Sequence, residues 1–87
     1  MINANAEKEL IELKIPDVGS TDKIELLEWK FGPGDTFEEG DELCDLVTDK
    51  ASFALEAPSA GVLEEIKISN QSVVIPGDVA AVVRVAL

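Results

Sequence analysis

The sequence predicts an all-β fold, a small sandwich or barrel of short antiparallel strands, and two observations carry this prediction. Runs rich in Val, Ile and Leu recur at close spacing, and clusters of Gly, Pro, Asn, Asp and Ser separate them. No stretch of ten or more residues shows a clean helical period. Many short strands between such turns are typical of β-sandwiches and β-barrels.

Eight strands are expected in chain order, each a β-prone run bounded by turn-forming residues: 10–15, 24–31, 36–37, 42–48, 51–57, 62–69, 73–75 and 80–87. The first ends at a turn-rich loop that begins with Pro16. Trp29 and Phe31 favour a strand for the second. The third is a short extension before the Gly40-Asp41 turn, which leads into the fourth.

The fourth and fifth strands are separated by a short polar break, which predicts a hairpin. The fifth ends at the Gly- and Pro-containing segment 58–61, and turns at 70–72 and 76–78 separate the last three strands. Residues 1–9 are polar and without pattern. We therefore expect a mobile leader there and a single domain over residues 10–87.

The core is expected to rest on Ile, Val, Leu and Ala, because the 87 residues include only three Phe, one Trp and no Tyr. The largest candidate core side chains are the aromatic residues of the alternating strands: Trp29, Phe31, Phe37 and Phe53. In the fifth strand, Ala51, Phe53 and Leu55 are expected on one face, with Ser52, Ala54 and Glu56 on the other.

An internal repeat relates the two halves of the chain at an offset of 37 residues, at which Gly40-Asp41 matches Gly77-Asp78. Trp29-Lys30-Phe31 matches Ile66-Lys67-Ile68 at the same offset. The repeat predicts a quasi-two-fold symmetric fold in which each half contributes one sheet.

Charge and composition exclude several classes of function. Eighteen acidic against seven basic residues give a net charge of −11, so neither nucleic acid nor an anionic membrane is expected as a partner. With no His and one Cys, Cys44, we expect no metal site and no catalytic residue. A single Cys fits a reducing location, the cytoplasm or, in a eukaryote, the mitochondrial matrix.

The polar break between the fourth and fifth strands is Thr48-Asp49-Lys50. Asp is common in tight turns, so the break predicts a hairpin with Lys50 at its exposed tip. Gly34 lies sixteen residues before this lysine and Gly61 eleven after it, each at an expected turn where glycine adopts a positive φ without strain. A covalent swinging arm would be attached at such a tip, whereas an ordinary turn lysine serves only solubility.

The runs 47–51 (VTDKA) and 58–63 (PSAGVL) resemble the lipoyl domains of 2-oxo acid dehydrogenase complexes. The opening LKIPDVG and the stretch from Gly34 to Leu43 are also similar to that family, so the resemblance covers nearly the whole chain. It implies a flattened β-barrel of two four-stranded antiparallel sheets. It also implies that Lys50 carries lipoic acid through an amide bond, with Asp49 and Ala51 as flanking residues that help the attachment enzyme select it.

The resemblance implies a non-catalytic carrier, either a stand-alone domain or part of a dihydrolipoamide acyltransferase. Its partners would be a thiamine-dependent 2-oxo acid decarboxylase, an acyltransferase domain and a flavin-dependent dihydrolipoamide dehydrogenase. A lipoate ligase or lipoyl transferase would attach the cofactor. One departure concerns partner choice: Ser20-Thr21 replace the Glu-Gly often found in the family, in a loop near the modified lysine that contributes to recognition.

Three alternatives stay open. A biotin carboxyl carrier domain shares the fold, but such carriers usually flank the lysine with Met, where this chain has Asp49 and Ala51. A glycine-cleavage carrier is disfavoured by the length of 87 residues without flanking helices. An unmodified β-sandwich used as an interaction module would keep the fold and give Lys50 no role.

Overall fold

The computed structural model describes residues 8–17 and 23–86, and every regular element in that part of the chain is a strand. The bounds are β1 Lys8–Lys14, β2 Ile24–Trp29, β3 Thr36–Phe37, β4 Glu42–Val47, β5 Ser52–Glu56, β6 Gly61–Ile66, β7 Ser72–Val74 and β8 Val79–Ala86. All eight predicted strands are present. Within the described residues, no helix is long and apolar enough to cross a membrane.

The first strand begins earlier than predicted. Lys8 and Glu9 pair with Ala86 and Val85 of β8, so these two positions do not belong to the leader expected over residues 1–9. The reason is the length of β8, which offers hydrogen-bonding partners along its whole edge. The remaining leader residues lie outside the described part of the chain, and the division into leader and domain stays a prediction.

The strands form two four-stranded antiparallel sheets that enclose one core, which confirms the flattened sandwich. Sheet A has the order β1-β8-β6-β3, and sheet B has the order β5-β4-β2-β7. The expectation that each half of the chain contributes one sheet is wrong, because both sheets contain two strands from each half. The β4–β5 hairpin joins the last strand of one half to the first of the other, so the halves pair across their junction.

The predicted quasi-two-fold symmetry is nevertheless found. Exchanging β1, β8, β6 and β3 for β5, β4, β2 and β7 converts sheet A into sheet B in the same order. For β8, β6 and β3 these counterparts are the strands at the offset of 37 residues. The register repeats as well. The β2–β4 pairing shifts between Leu26 and Glu28, and the β6–β8 pairing shifts between Leu63 and Glu65, at the offset of 37 residues.

Glycine serves different purposes at the two positions singled out in the sequence. Gly34 has the expected positive φ, 93°, and its symmetry counterpart Gln71 also lies in the left-handed region, with φ of 62°. The expected positive φ at Gly61 is not found. Gly61 begins β6, and a Cβ there would collide with the backbone carbonyl oxygen of Arg84 on β8. This glycine is therefore required for close approach of two strands.

The core is aliphatic, as predicted. Its buried members are Leu13, Ile15, Ile24, Leu26, Phe37, Leu43, Cys44, Leu46, Leu55, Ala57, Leu63, Val74, Ala80, Ala81, Val83 and Val85. Of the four aromatic candidates, only Phe37 is fully buried, whereas Trp29, Phe31 and Phe53 are partly buried and pack against the cluster. The indole N–H of Trp29 donates to the carbonyl of Ile68 at 2.7 Å, which accounts for the position of this ring at the edge of the core.

Candidate functional site

Lys50 lies in the turn between β4 and β5, where the sequence places it. The two strands are paired up to Val47 and Ser52, so only the four residues between these two form the turn. The side chains of Asp49, Lys50 and Ala51 are all exposed. The structure thus brings the three predicted site residues together at the end of a hydrogen-bonded hairpin.

Thr48 organises this turn, and the sequence analysis missed its role. Its backbone N–H donates to the carbonyl of Ala51 at 2.8 Å, and its Oγ1 accepts the backbone N–H groups of Lys50 and Ala51, each at 3.2 Å. The hydroxyl also lies 3.4 Å from the Ala51 carbonyl as a donor. Thr48 is 9% exposed. A Thr at the start of a predicted turn was the available signal for this role, because its hydroxyl can bond nearby backbone groups. The sequence analysis attributed the turn to Asp49 instead.

An open cleft of about 410 Å³ lies beside the turn. Val47, Thr48 and Asp49 line it from the hairpin, and Lys23 and Glu25 line it from the start of β2. The loop predicted to contribute to partner recognition runs from residue 18 to residue 23, and only its last residue, Lys23, belongs to the described residues. Lys23 lines the cleft beside the Lys50 turn, while Ser20 and Thr21 lie outside the described part.

Two other lysines are held by carboxylates. Lys30 Nζ lies 3.4 Å from Asp45 and 3.6 Å from Glu42, and the hydrogen bond and charge of Asp45 raise the pKa of the Lys30 amine above its usual value. Lys67 Nζ lies 3.2 Å from Glu65. Both amines therefore lie in surface ion pairs with carboxylates.

Cys44 takes no part in the site. Its side chain is fully buried, and desolvation, with a smaller effect of the neighbouring Asp45 charge, raises the pKa of the thiol to about 12. It therefore stays protonated and behaves as a small core residue. Among the described residues, no group of three or more His, Cys, Asp or Glu is arranged to hold a metal ion.

The chemistry that this turn supports is acyl transfer to the Lys50 amine. Its Nζ stands on a flexible four-carbon stem at the end of a hairpin whose backbone is tied by Thr48. An exposed amine on an ordered turn can be presented to another enzyme, while the sandwich behind it supplies the mount. Fold and site together define a carrier domain.

The comparisons with known proteins agree with this class. The family model described as "Biotin-requiring enzyme" matches residues 11–83, and the chain belongs to this family of biotin- and lipoyl-attachment domains. The dihydrolipoyllysine-residue acetyltransferase component of the pyruvate dehydrogenase complex from Pseudomonas aeruginosa is 34% identical over 82 residues, which cover 94% of this chain and 15% of that protein. The component of the same name from Azotobacter vinelandii is 36% identical over 75 residues, 86% of this chain and 12% of that protein.

The chain thus spans about 15% or less of the length of these two relatives. With the family match and the fold, they identify it as a non-catalytic domain of the lipoyl type.

Two solved structures share the fold. The lipoyl domain of the 2-oxoglutarate dehydrogenase complex from Azotobacter vinelandii has a TM-score of 0.66 and 22% identity, over 82% of this chain and 94% of that one. A single-chain, multi-domain long-chain acyl-CoA carboxylase has a TM-score of 0.70 and 19% identity, over 95% of this chain and 8% of that one. At these identities the likeness concerns the fold alone, and it agrees with the two-sheet architecture.

Proposed function

We propose that Lys50 carries a lipoyl group in amide linkage and that the domain is the swinging-arm carrier of a 2-oxo acid dehydrogenase-type complex. The observation that carries this proposal is the exposure of Lys50 at the tip of the β4–β5 hairpin, in a domain related to acetyltransferase components. The residues at the hairpin tip fit a lipoyl group. An exposed amine accepts an acyl chain that extends into solvent, and small Ala51 and short Asp49 flank it at the tip.

Attachment requires a lipoate ligase or lipoyl transferase, because the domain itself supplies only the acceptor amine. With lipoyl adenylate as donor, the deprotonated amine of Lys50 attacks the carbonyl carbon, an amide C–N bond forms, and the C–O bond to AMP breaks. AMP leaves and the amine loses one proton. The ordered turn limits the directions from which the amine reaches the donor, which favours reaction at this lysine.

When bound, the lipoyl group would supply a dithiolane that takes an acyl group and two electrons from a thiamine-dependent 2-oxo acid decarboxylase, passes the acyl group to coenzyme A at an acyltransferase domain, and is reoxidised by a flavin-dependent dihydrolipoamide dehydrogenase. The domain contributes a fixed mount and a tether that raises the local concentration of the arm at each partner. Its net charge of −11 favours encounter with basic partner surfaces. We place this cycle in the cytoplasm or mitochondrial matrix, which the single Cys supports.

Attachment in vitro tests the proposal. The protein is incubated with a lipoate ligase, lipoate and ATP, and the adduct is mapped by intact-mass and peptide mass spectrometry. We expect one adduct, on Lys50. Lys50→Arg should keep the wild-type melting temperature and take no adduct, because a guanidinium is not a usable acyl acceptor. Lys67→Arg is the matched control and should be modified normally. An adduct on Lys23 or Lys67, or none with several ligases, would overturn the proposal.

A biotin carrier is the second candidate, because the family model that matches residues 11–83 is described as "Biotin-requiring enzyme". The residues at the tip argue for lipoate, since Asp49 and Ala51 stand where biotin carriers usually have Met. Parallel incubation with a biotin ligase and a lipoate ligase compares the two rates. Faster biotinylation of Lys50 would establish the biotin carrier. If the flanking residues decide, replacing both by Met should shift the ratio of rates toward biotin.

A further inference from the structure

The internal two-fold allows the outer faces of the two sheets to be compared position by position. On sheet A, Nε of Arg84 donates to Oε1 of Glu64 at 2.9 Å. At the equivalent positions of sheet B, 37 residues earlier in the chain, stand Val47 for Arg84 and Leu27 for Glu64. Leu27 and Glu64 both lie at the register shift of their strand pair, so the equivalence is structural as well as sequential. An ion pair on one face is thus replaced by two apolar side chains on the other.

A row of paired residues that includes Val47 runs across all four strands of sheet B. In register, Ser52 pairs with Val47, Val47 with Glu25, and Glu25 with Val73, so these four residues form one row on one face. The residues on either side of Glu25 in β2 and of Val47 at the end of β4 are buried, and so is Val74 beside Val73, so the row faces outward. Leu27 is 39% exposed and Val73 is 60% exposed. We call this surface, made of Leu27, Val47 and Val73 around Glu25, the β2 face.

The β2 face is continuous with the attachment site. Val47 and Ser52 are the last paired residues of the hairpin on either side of the Lys50 turn. Sheet A exposes Leu10 as well, at 55%, but Leu10 pairs with Arg84, so a charged side chain stands in the middle of that row. The row on sheet B also has one charged side chain, Glu25, but there apolar Leu27 and Val47 replace the ion pair of sheet A, and this sheet carries the Lys50 turn.

We propose that the β2 face docks the enzyme that attaches the lipoyl group, an inference that rests on the proposed function. That enzyme must bring its acyl donor within bonding distance of Lys50 Nζ. The row crosses four strands and spans roughly 14 Å, three inter-strand spacings, so a protein seated on the turn covers it. The decarboxylase, the acyltransferase and the dehydrogenase act on the dithiolane at the far end of the attached arm. Their active sites therefore lie one arm length further from the β2 face than the active site of the attaching enzyme.

The charge of the surface defines the chemistry of this partner. Glu25 lies between Val47 and Val73, and Asp49 lies at the turn. The complementary surface on the enzyme is an apolar patch with Lys or Arg side chains at its edge, since interface cores are depleted in charge and their rims are polar.

A graft between the two faces tests the inference. Leu27→Glu with Val47→Arg places the ion pair of sheet A on sheet B, where the backbone has the same form. The matched control, Glu64→Leu with Arg84→Val, makes the opposite exchange on sheet A. Both variants are compared with the wild type by melting temperature and by KM and kcat for the protein in lipoylation, followed by intact mass. We expect the sheet B graft to raise KM about tenfold with kcat nearly unchanged, and the sheet A control to change neither.

Binding is followed separately by titrating the lipoate ligase into isotope-labelled, unlipoylated protein and recording backbone amide NMR spectra. Amide signals of β2, β4 and β7 should shift or broaden, and those of β1 should not. If the graft unfolds the domain, Val73→Lys repeats the test at an exposed edge residue. Thr36→Lys, at the position equivalent to Val73 on sheet A, is its control.

Three results would overturn the inference. A folded sheet B graft with wild-type KM removes the β2 face from the contact while leaving Lys50 attachment intact. Normal lipoylation of the graft combined with a raised KM in reductive acylation by a thiamine-dependent decarboxylase assigns the face to that enzyme instead. Failure of every ligase on the wild-type protein overturns the proposed function and this inference together, so the two failures are distinguishable.

Discussion

The backbone N–H of Lys50 donates to Oγ1 of Thr48 at 3.2 Å, and the N–H of Ala51 donates to the same oxygen at the same distance. The proposed attachment lysine is therefore oriented by a residue two positions before it. Because Thr48 is buried at the base of the turn, its side chain links the hairpin core to the exposed tip. The conformation of the tip therefore depends on the hydrogen bonds of this hydroxyl as well as on the pairing of β4 with β5.

Thr48→Val should loosen the turn without unfolding the domain. The substitution keeps the side-chain shape but leaves two backbone N–H groups without their acceptor, at a cost of about 1–2 kcal/mol in the free energy of unfolding. Hydrogen exchange at the amides of Lys50 and Ala51 should accelerate, and lipoylation should slow. Thr48→Ser is the control that restores the acceptor. Equal exchange rates in the two variants would contradict the role assigned to the hydroxyl.

Phe37→Ala should destabilise the domain far more than Phe53→Ala. Phe37 is fully buried, and truncation of such a ring typically costs about 3–5 kcal/mol, a large share of the stability of a small domain. Phe53, which the sequence analysis also named as a candidate core residue, is only partly buried, so its truncation should cost less. Denaturant unfolding of both variants measures the difference. Similar losses would mean that Phe53 carries as much packing as Phe37.

Gly61→Ala should lower the free energy of unfolding by about 1–3 kcal/mol, the range typical of overpacked sites. The added Cβ would meet the Arg84 carbonyl oxygen and lie 3.1 Å from Cγ1 of Val85, so β6 and β8 would have to move apart. Gly32→Ala is a matched control, because a Cβ there would meet only Asp35 Oδ2, at an ordinary 3.7 Å. Chemical denaturation of the two variants should give a clear loss for the first and a small change for the second.

Cys44 should be unreactive in the native protein and should make stability fall at alkaline pH. The unfolded thiol ionises near pH 9, whereas the buried thiol has a pKa of about 12. Between these values the unfolded state binds fewer protons, so stability decreases as pH rises, by at most about 1.4 kcal/mol per pH unit. Below pH 9 both states are protonated and the thiol contributes no pH dependence.

Iodoacetamide labelling and denaturation curves from pH 8 to 11 measure both effects. Cys44→Ala should reduce the alkaline slope, although the raised pKa of Lys30 acts in the same direction and leaves part of it. Rapid labelling of native protein at pH 8 would show that the thiol is accessible.

The sequence by itself determined the features that depend on neighbouring residues. Turn formers such as Pro16 and Gly40-Asp41 end the strands locally, so all eight strands could be predicted from the chain order. The repeat of 37 residues determined the two-fold symmetry. The same local chemistry placed Lys50 at a hairpin tip.

Tertiary structure alone decided the features that depend on residues distant in the chain. The repeat relates the halves but does not select which strands pair, so the mixing of both halves in each sheet was not predictable from it. The need for Gly61 arises only when Arg84 on another strand approaches its backbone. Burial of Phe37 rather than Phe53 depends on how the two sheets close over each ring. Such long-range packing, unlike turn chemistry, leaves no signal in the adjacent sequence.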